Sequence, residues 1–162
     1  MRTKVLLIED EQPMSLILQA YLTFEPKDQF DITTAPTLKR GLALAGEAKK
    51  KGEPFDITLL DLGLSDSKGI DTLVQFVKEF PELPVIVLTG SLEENIAMKS
   101  AEAGADGFEA KQSITIPQLI NEIDFAIEKK RRLNLLRSTQ EQVREAANNL
   151  MQTTEMIRDA TK

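Results

Sequence analysis

The 162-residue chain has no cysteine, no histidine and no tryptophan, and only one tyrosine. Without cysteine there are no disulfides and no thiolate chemistry, which fits a reducing compartment such as the cytoplasm. The lack of histidine excludes Ser/His and Cys/His catalysis, the usual zinc sites, and any role as a phosphohistidine carrier or histidine autokinase. Chemistry is left to carboxylates, hydroxyls, lysines and a hard cation. No apolar run approaches the roughly 20 residues needed to span a bilayer. The opening MRTKVLLIEDEQ meets acids after too short an apolar stretch for a signal peptide. No membrane partner is therefore expected. With seven Phe and no Trp, the core must rely on Leu, Ile, Val and Ala.

What is present is acidic and unevenly spread. The net charge is −6. Residues 1–127 hold 12 Lys+Arg against 21 Asp+Glu, a balance of −9, whereas residues 128–162 hold 8 against 5, a balance of +3. The composition changes near residue 128, and a domain of residues 3–127 followed by an extension of 128–162 is expected.

Within the first part, short apolar runs alternate with helical patterns. VLLIE (5–9), FDITTA (30–35), FDITLLD (55–61), PVIVLTG (84–90) and ADGFEA (105–110) read as strands. Pro13 opens a helix with Leu16, Ile17, Ala20 and Tyr21 at helical spacing. Thr37 to Lys50 forms the second, with Leu38, Leu42 and Ala45 on one face. Gly69 to Phe80 forms the third, with Ile70, Leu73, Val74 and Val77 inward. Leu92 to Ala103 forms the fourth, and the fifth starts at Ile116. Apolar strands joined by crossover helices imply a parallel sheet covered on both faces, a doubly wound α/β sandwich of three layers. Ligands in such folds bind beyond the carboxyl ends of the strands.

The residues at those ends are informative. Strand one ends in Glu9-Asp10, strand three in Asp61, strand four in Thr89-Gly90, and strand five is followed by Lys111. Each has a plainer reading alone: a helix cap for the acids, a turn for Thr-Gly, a solvated lysine. Together they place three acids, a hydroxyl and a lysine on one rim. Three crowded carboxylates repel unless a cation sits among them, and an all-oxygen set suits Mg²⁺. A carboxylate, a Mg²⁺ and a lysine make a site for phosphoryl transfer in which the aspartate is the nucleophile.

These stretches, LLIEDE, ITLLDLGLSDSKGID, VIVLTG and AGADGFEAK, resemble response-regulator receiver domains of two-component signalling, the CheY-like group. The resemblance implies a five-stranded flavodoxin-like sheet of order 2-1-3-4-5 and no enzymatic turnover of an outside substrate. It implies that Asp61 is the phosphoacceptor and that Glu9, Asp10, Asp61 and the Gly63 carbonyl hold Mg²⁺. It further implies that Thr89 and Lys111 attend the phosphoryl group. Thr89 and Phe108 would form the switch that remodels the fourth-helix, fifth-strand and fifth-helix face. A histidine kinase is the implied donor.

Three departures from the family stand out. Gln112 replaces the usual proline after the lysine, so a trans peptide is expected there. Ser65 replaces a common proline, so the loop after Asp61 is expected to be less rigid. Phe108 lacks a tyrosine hydroxyl. Gly63 and Ser91, both small, flank the acceptor, which predicts an aspartyl phosphate not unusually protected from hydrolysis.

From Glu128 to Lys162 there is no Pro or Gly. Leu133, Leu136, Gln140, Val143, Ala147, Leu150, Thr154 and Ile157 recur at spacings of three and four, a weak heptad seam. A long helix continuing the fifth is expected, paired in parallel with a second copy. A partly frayed amphipathic tail is the plainer alternative. KKRR (129–132) reads as a solvated basic stretch, and no nucleic-acid-reading motif follows it. The pattern stops at RDATK without a stop signal, and either a whole protein that signals by dimerising or a fragment cut before an output domain is expected.

The expected function is a phosphorylation-dependent switch. A phosphorylation-independent scaffold is the alternative. A metal-dependent phosphatase is disfavoured because Gly63 stands where its second acid would be.

Overall fold

The computed structural model describes every residue except 25–28 and 91–94. Its described elements are β1 (Thr3–Ile8), α1 (Gln12–Thr23), β2 (Phe30–Ala35), α2 (Leu38–Lys50), β3 (Ile57–Asp61), α3 (Ile70–Glu79), β4 (Val85–Thr89), α4 (Ile96–Glu102), β5 (Gly107–Ala110) and α5 (Ile116–Ala160). The five strands form one parallel sheet in the order β2-β1-β3-β4-β5, as the resemblance implied.

All five residues of β3 and of β4 are buried, because helices cover both faces. Alternate strand residues then feed two cores. Leu6, Ile8, Leu60, Val85 and Val87 meet Leu38 and Ala45 of α2 and Leu73 and Phe76 of α3. Val5, Leu7, Ile57, Leu59, Ile86 and Leu88 meet Leu18 and Leu22 of α1 and Leu119, Ile123 and Ala126 of α5. α2 lies so close to β1 that a Cβ on Gly41 would collide with Ile8. Glycine there is a packing requirement.

Two helix faces differ from the sequence expectation. On α1, Leu16, Ile17, Ala20 and Tyr21 are exposed, and Leu18 and Leu22 carry the burial. α1 contains no charged residue, so two apolar stripes of equal spacing competed and the pattern alone could not rank them. On α3, Val74 faces solvent while Thr72 and Phe76 are fully buried; Leu73 is inward as expected, and Ile70 and Val77 are half-buried. The expected start of the fourth helix at Leu92 falls outside the described residues.

The chain divides into two compact units, Met1–Lys130 and Arg131–Lys162. The second is helical through Ala160, and its seam residues Leu133, Leu136, Val143, Leu150 and Ile157 are all exposed. Among the described residues no helix is long and apolar enough to cross a membrane.

Lys130 corrects the reading of KKRR as wholly solvated. The inward face of α5 runs Leu119, Ile123, Ala126 and Lys130, so the lysine occupies the next buried position. Its ammonium lies 3.4 Å from Asp106 Oδ2, and both side chains are nearly inaccessible. The same carboxylate oxygen accepts the Val85 N–H at 3.0 Å.

Candidate functional site

Parallel register brings the strand ends together. Ile8 pairs with Leu60, so Glu9 follows β1 beside Asp61, the last residue of β3. Asp61 pairs with Leu88, one residue before Thr89, and Thr89 pairs with Ala110, so Lys111 follows β5 directly. The β1/β3 boundary is where the strand order reverses, the position at which open α/β sheets bind ligands.

Glu9, Asp61 and Thr89 are buried, and Asp10 is half-buried. Carboxylate oxygens of Glu9, Asp10 and Asp61 lie within 4.8 Å of one another. Lys111 Nζ stands 2.6 Å from Glu9 Oε2 and 3.1 Å from Asp61 Oδ2, so one ammonium serves two acids. The Glu11 N–H donates to Glu9 Oε1 at 3.0 Å, and the Gly63 N–H to Asp61 Oδ1 at 3.1 Å.

Burial raises the Glu9 carboxyl above the usual range; the Lys111 and Glu11 hydrogen bonds oppose this, and the charge of Asp61 adds to it. Burial works to lower Lys111, but its hydrogen bond to Glu9 and the charge of Asp61 prevail and raise it. The site therefore concentrates negative charge in a partly dry place, with Lys111 as the cation bonded to it among the described residues. Its donor set is entirely oxygen and its acids are close enough to share one ion, so the residues present fit Mg²⁺.

A depression of about 640 Å³ opens onto this cluster, lined by Asp61, Gly63, Lys68, Thr89, Lys111 and Gln112 among others. A larger one of about 850 Å³ lies at α2 and α3 and shares none of these residues. Chemistry rather than volume singles out the strand ends.

The loop after Asp61 is tied down without a proline at Ser65. Asp66 accepts the Leu38 and Lys39 N–H groups at 2.9 and 3.0 Å, closing the first turn of α2. The Gly69 N–H donates to the Leu62 carbonyl at 2.7 Å, and the Ser67 and Thr72 hydroxyls are 2.7 Å apart. A Cβ at Gly63 would stand 3.7 Å from Asp61 Oδ1, so any side chain there would border the carboxylate. Ser91, expected on the other side, lies outside the described residues.

Phe108 is half-buried against the α2/α3 core. No cis peptide occurs among the described residues, so Lys111–Gln112 is trans, as a non-proline residue favours. Sequence reasoning named Gln112 only as a missing proline. Its Nε2 donates to the Gly90 carbonyl at 2.9 Å, a contact no spacing rule announces.

Comparison with known proteins agrees with this architecture. Residues 5–124 match the family described as the response regulator receiver domain. The KDP operon transcriptional regulatory protein KdpE of Escherichia coli is 36% identical over 109 residues, covering 67% of this chain and 44% of that protein. Transcriptional regulatory protein KdpE of Staphylococcus aureus is 30% identical over 111 residues, covering 68% and 44%. The chain thus spans less than half the length of these relatives. A receiver domain structure from Clostridium thermocellum superposes with a TM-score of 0.68 at 26% identity, covering 81% of this chain and 98% of that one. A CheY-like receiver from Methanospirillum hungatei gives 0.67 at 24%, covering 82% and 98%. The chain belongs to the response regulator receiver domain family of two-component systems.

Proposed function

We propose that this chain is a phosphorylation-activated switch in which Asp61 accepts a phosphoryl group from a histidine kinase. The observation that carries the reading is the sharing of Lys111 between Asp61 and Glu9 inside a three-acid cluster at the strand ends.

An Asp61 carboxylate oxygen attacks phosphorus as the donor's P–N bond breaks, and the departing imidazole keeps the electron pair and takes up a proton. Glu9, Asp10, Asp61 and the Gly63 carbonyl would hold Mg²⁺, which when bound neutralises charge on the transferring group. Lys111 leaves Asp61 for the new phosphoryl oxygens and keeps Glu9 as its second partner. The Thr89 hydroxyl donates to one of those oxygens. The change at Thr89 and Lys111 then reaches Phe108, midway along β5, and the face formed by α4, β5 and α5.

The receiver is taken as residues 3–127 and the extension as 128–162. The extension pairs with a second copy through Leu133, Leu136, Val143, Leu150 and Ile157, an apolar stripe with no cover in the single chain.

Incubation with acetyl phosphate and Mg²⁺ tests the assignment. Wild type is expected to take one label that D61N does not. Persistent labelling of D61N would overturn the assignment, and an unlabelled wild type would favour a phosphorylation-independent scaffold.

A further inference from the structure

Position 112 carries glutamine where the family resemblance leads one to expect proline, a residue without an amide hydrogen or a polar side chain. That difference is used in the structure. The Lys111 N–H donates to the Thr89 carbonyl at 2.9 Å as pairing between β4 and β5 ends. One residue further on, the side chain of Gln112 continues the connection, its Nε2 donating to the Gly90 carbonyl at 2.9 Å. The two clasped residues are the immediate chain neighbours of Thr89 and Lys111. Both also line the depression that opens onto Asp61. A Cβ on Gly90 would sit 3.7 Å from the same Nε2, an ordinary contact distance, so the amide lies close against the Gly90 backbone.

We propose that Gln112 is a positioning residue for phosphoryl transfer to Asp61. By tying position 112 to Gly90, it holds the backbone beside Lys111 to the backbone beside Thr89 and so sets the distance between the Thr89 hydroxyl and the Lys111 ammonium. The proposal rests on the phosphoacceptor reading of Asp61. Lys111 Nζ is drawn towards Glu9 and Asp61, while its backbone N–H ties it to the strand carrying Thr89. The three oxygens of an arriving phosphoryl group need both donors at set positions, and small displacements of such donors are costly in rate. A hydrogen bond of this exposed kind corresponds to roughly a two- to tenfold effect.

The test uses the full chain as wild type, Q112M and D61N. Methionine keeps the length of the side chain and removes the donor. Initial rates of labelling are measured against acetyl phosphate concentration, and Mg²⁺ affinity is measured by titration without donor. Among the described residues the Gln112 side chain bonds the Gly90 carbonyl and not Glu9, Asp10 or Asp61, so Q112M is expected to bind Mg²⁺ as wild type does. Its maximal labelling rate is expected to fall roughly two- to tenfold, with the half-saturating donor concentration little changed. The Gly90 carbonyl carbon resonance is expected to shift as its hydrogen bond is lost. Wild-type rates in Q112M would overturn the proposal alone. A rate that falls in step with Mg²⁺ affinity would also overturn it, showing general loosening of the site. A wild type that takes no label, or a D61N that does, would remove the Asp61 reading and the proposal with it.

Discussion

Lys111 holds two carboxylates at once, and the energetics of the site follow from that sharing. One ammonium cannot compensate three nearby acids, and burial has already raised Glu9, with Asp61 adding to the rise. Replacing Asp61 by Asn removes one repelling charge. In Mg²⁺-free buffer D61N should melt about 2–4 °C above wild type, and added Mg²⁺ should stabilise it less than wild type; calorimetry with and without the ion checks both. The raised Glu9 carboxyl also gives a pH dependence with a definite sign. A raised folded-state value means that its contribution to stability is fully present below the ordinary glutamate range. That contribution is lost as pH rises through the raised value. Urea unfolding of E9Q in Mg²⁺-free buffer, between about pH 4 and 7, should lack this loss. Thr58 gives a simpler case: its hydroxyl is fully buried in β3 and has no hydrogen-bond partner among the described residues. T58V should therefore stabilise the fold by roughly 1 kcal/mol, read as a higher urea midpoint.

The start of α2 and the start of β5 are fastened by side chains from elsewhere in the sequence. Asp66 closes the first turn of α2 from the loop after Asp61. Burial alone would raise its carboxyl, but the Lys39 and Leu38 amides outweigh burial and lower it. Its stabilising effect is present above the ordinary aspartate range and is lost as pH falls through the lowered value. D66A should cost roughly 0.5–1 kcal/mol at neutral pH, and the deficit against wild type should close at acid pH. At the other end of the sheet, Lys130 and Asp106 fasten α5 to the start of β5. K130M removes the cation from the Asp106 carboxylate and leaves it the Val85 amide, and should destabilise by roughly 1–3 kcal/mol, whereas adding D106N should recover part of that loss. The elements and their order were legible in the sequence because β3 and β4 are short, mostly apolar runs bounded by Gly and Pro. The strand-end acids, Thr89 and Lys111 were legible because parallel strands deliver their carboxyl ends to one rim. The buried face of α1 was not, since an uncharged helix offers two equivalent apolar stripes. Lys130 was misread because its charge outweighed its spacing, although Leu119, Ile123 and Ala126 already pointed to it. Gln112 and Asp66 act through single side-chain contacts between loops, which no period encodes.

Across the whole molecule, an acidic strand-end site and a weak apolar seam occupy one chain. The seam has Gln140 and Thr154 among its positions and Ala147 in place of a larger side chain, so self-association through it should be modest and easily broken. V143D together with L150D should abolish dimerisation in light scattering while leaving labelling by acetyl phosphate intact, because neither residue belongs to the receiver unit. Beryllofluoride with Mg²⁺, which imitates the phosphoryl group, should alter the dimer fraction of wild type and not that of D61N.

Asp61 itself is proposed to carry the phosphoryl group. Borohydride reduces an aspartyl phosphate to homoserine and leaves free carboxylates untouched. After reaction with acetyl phosphate and Mg²⁺, reduction and peptide mass spectrometry should find homoserine at position 61 and at no other acid. Homoserine at Glu9's neighbour Asp10, at Asp66, or nowhere in the chain would contradict it.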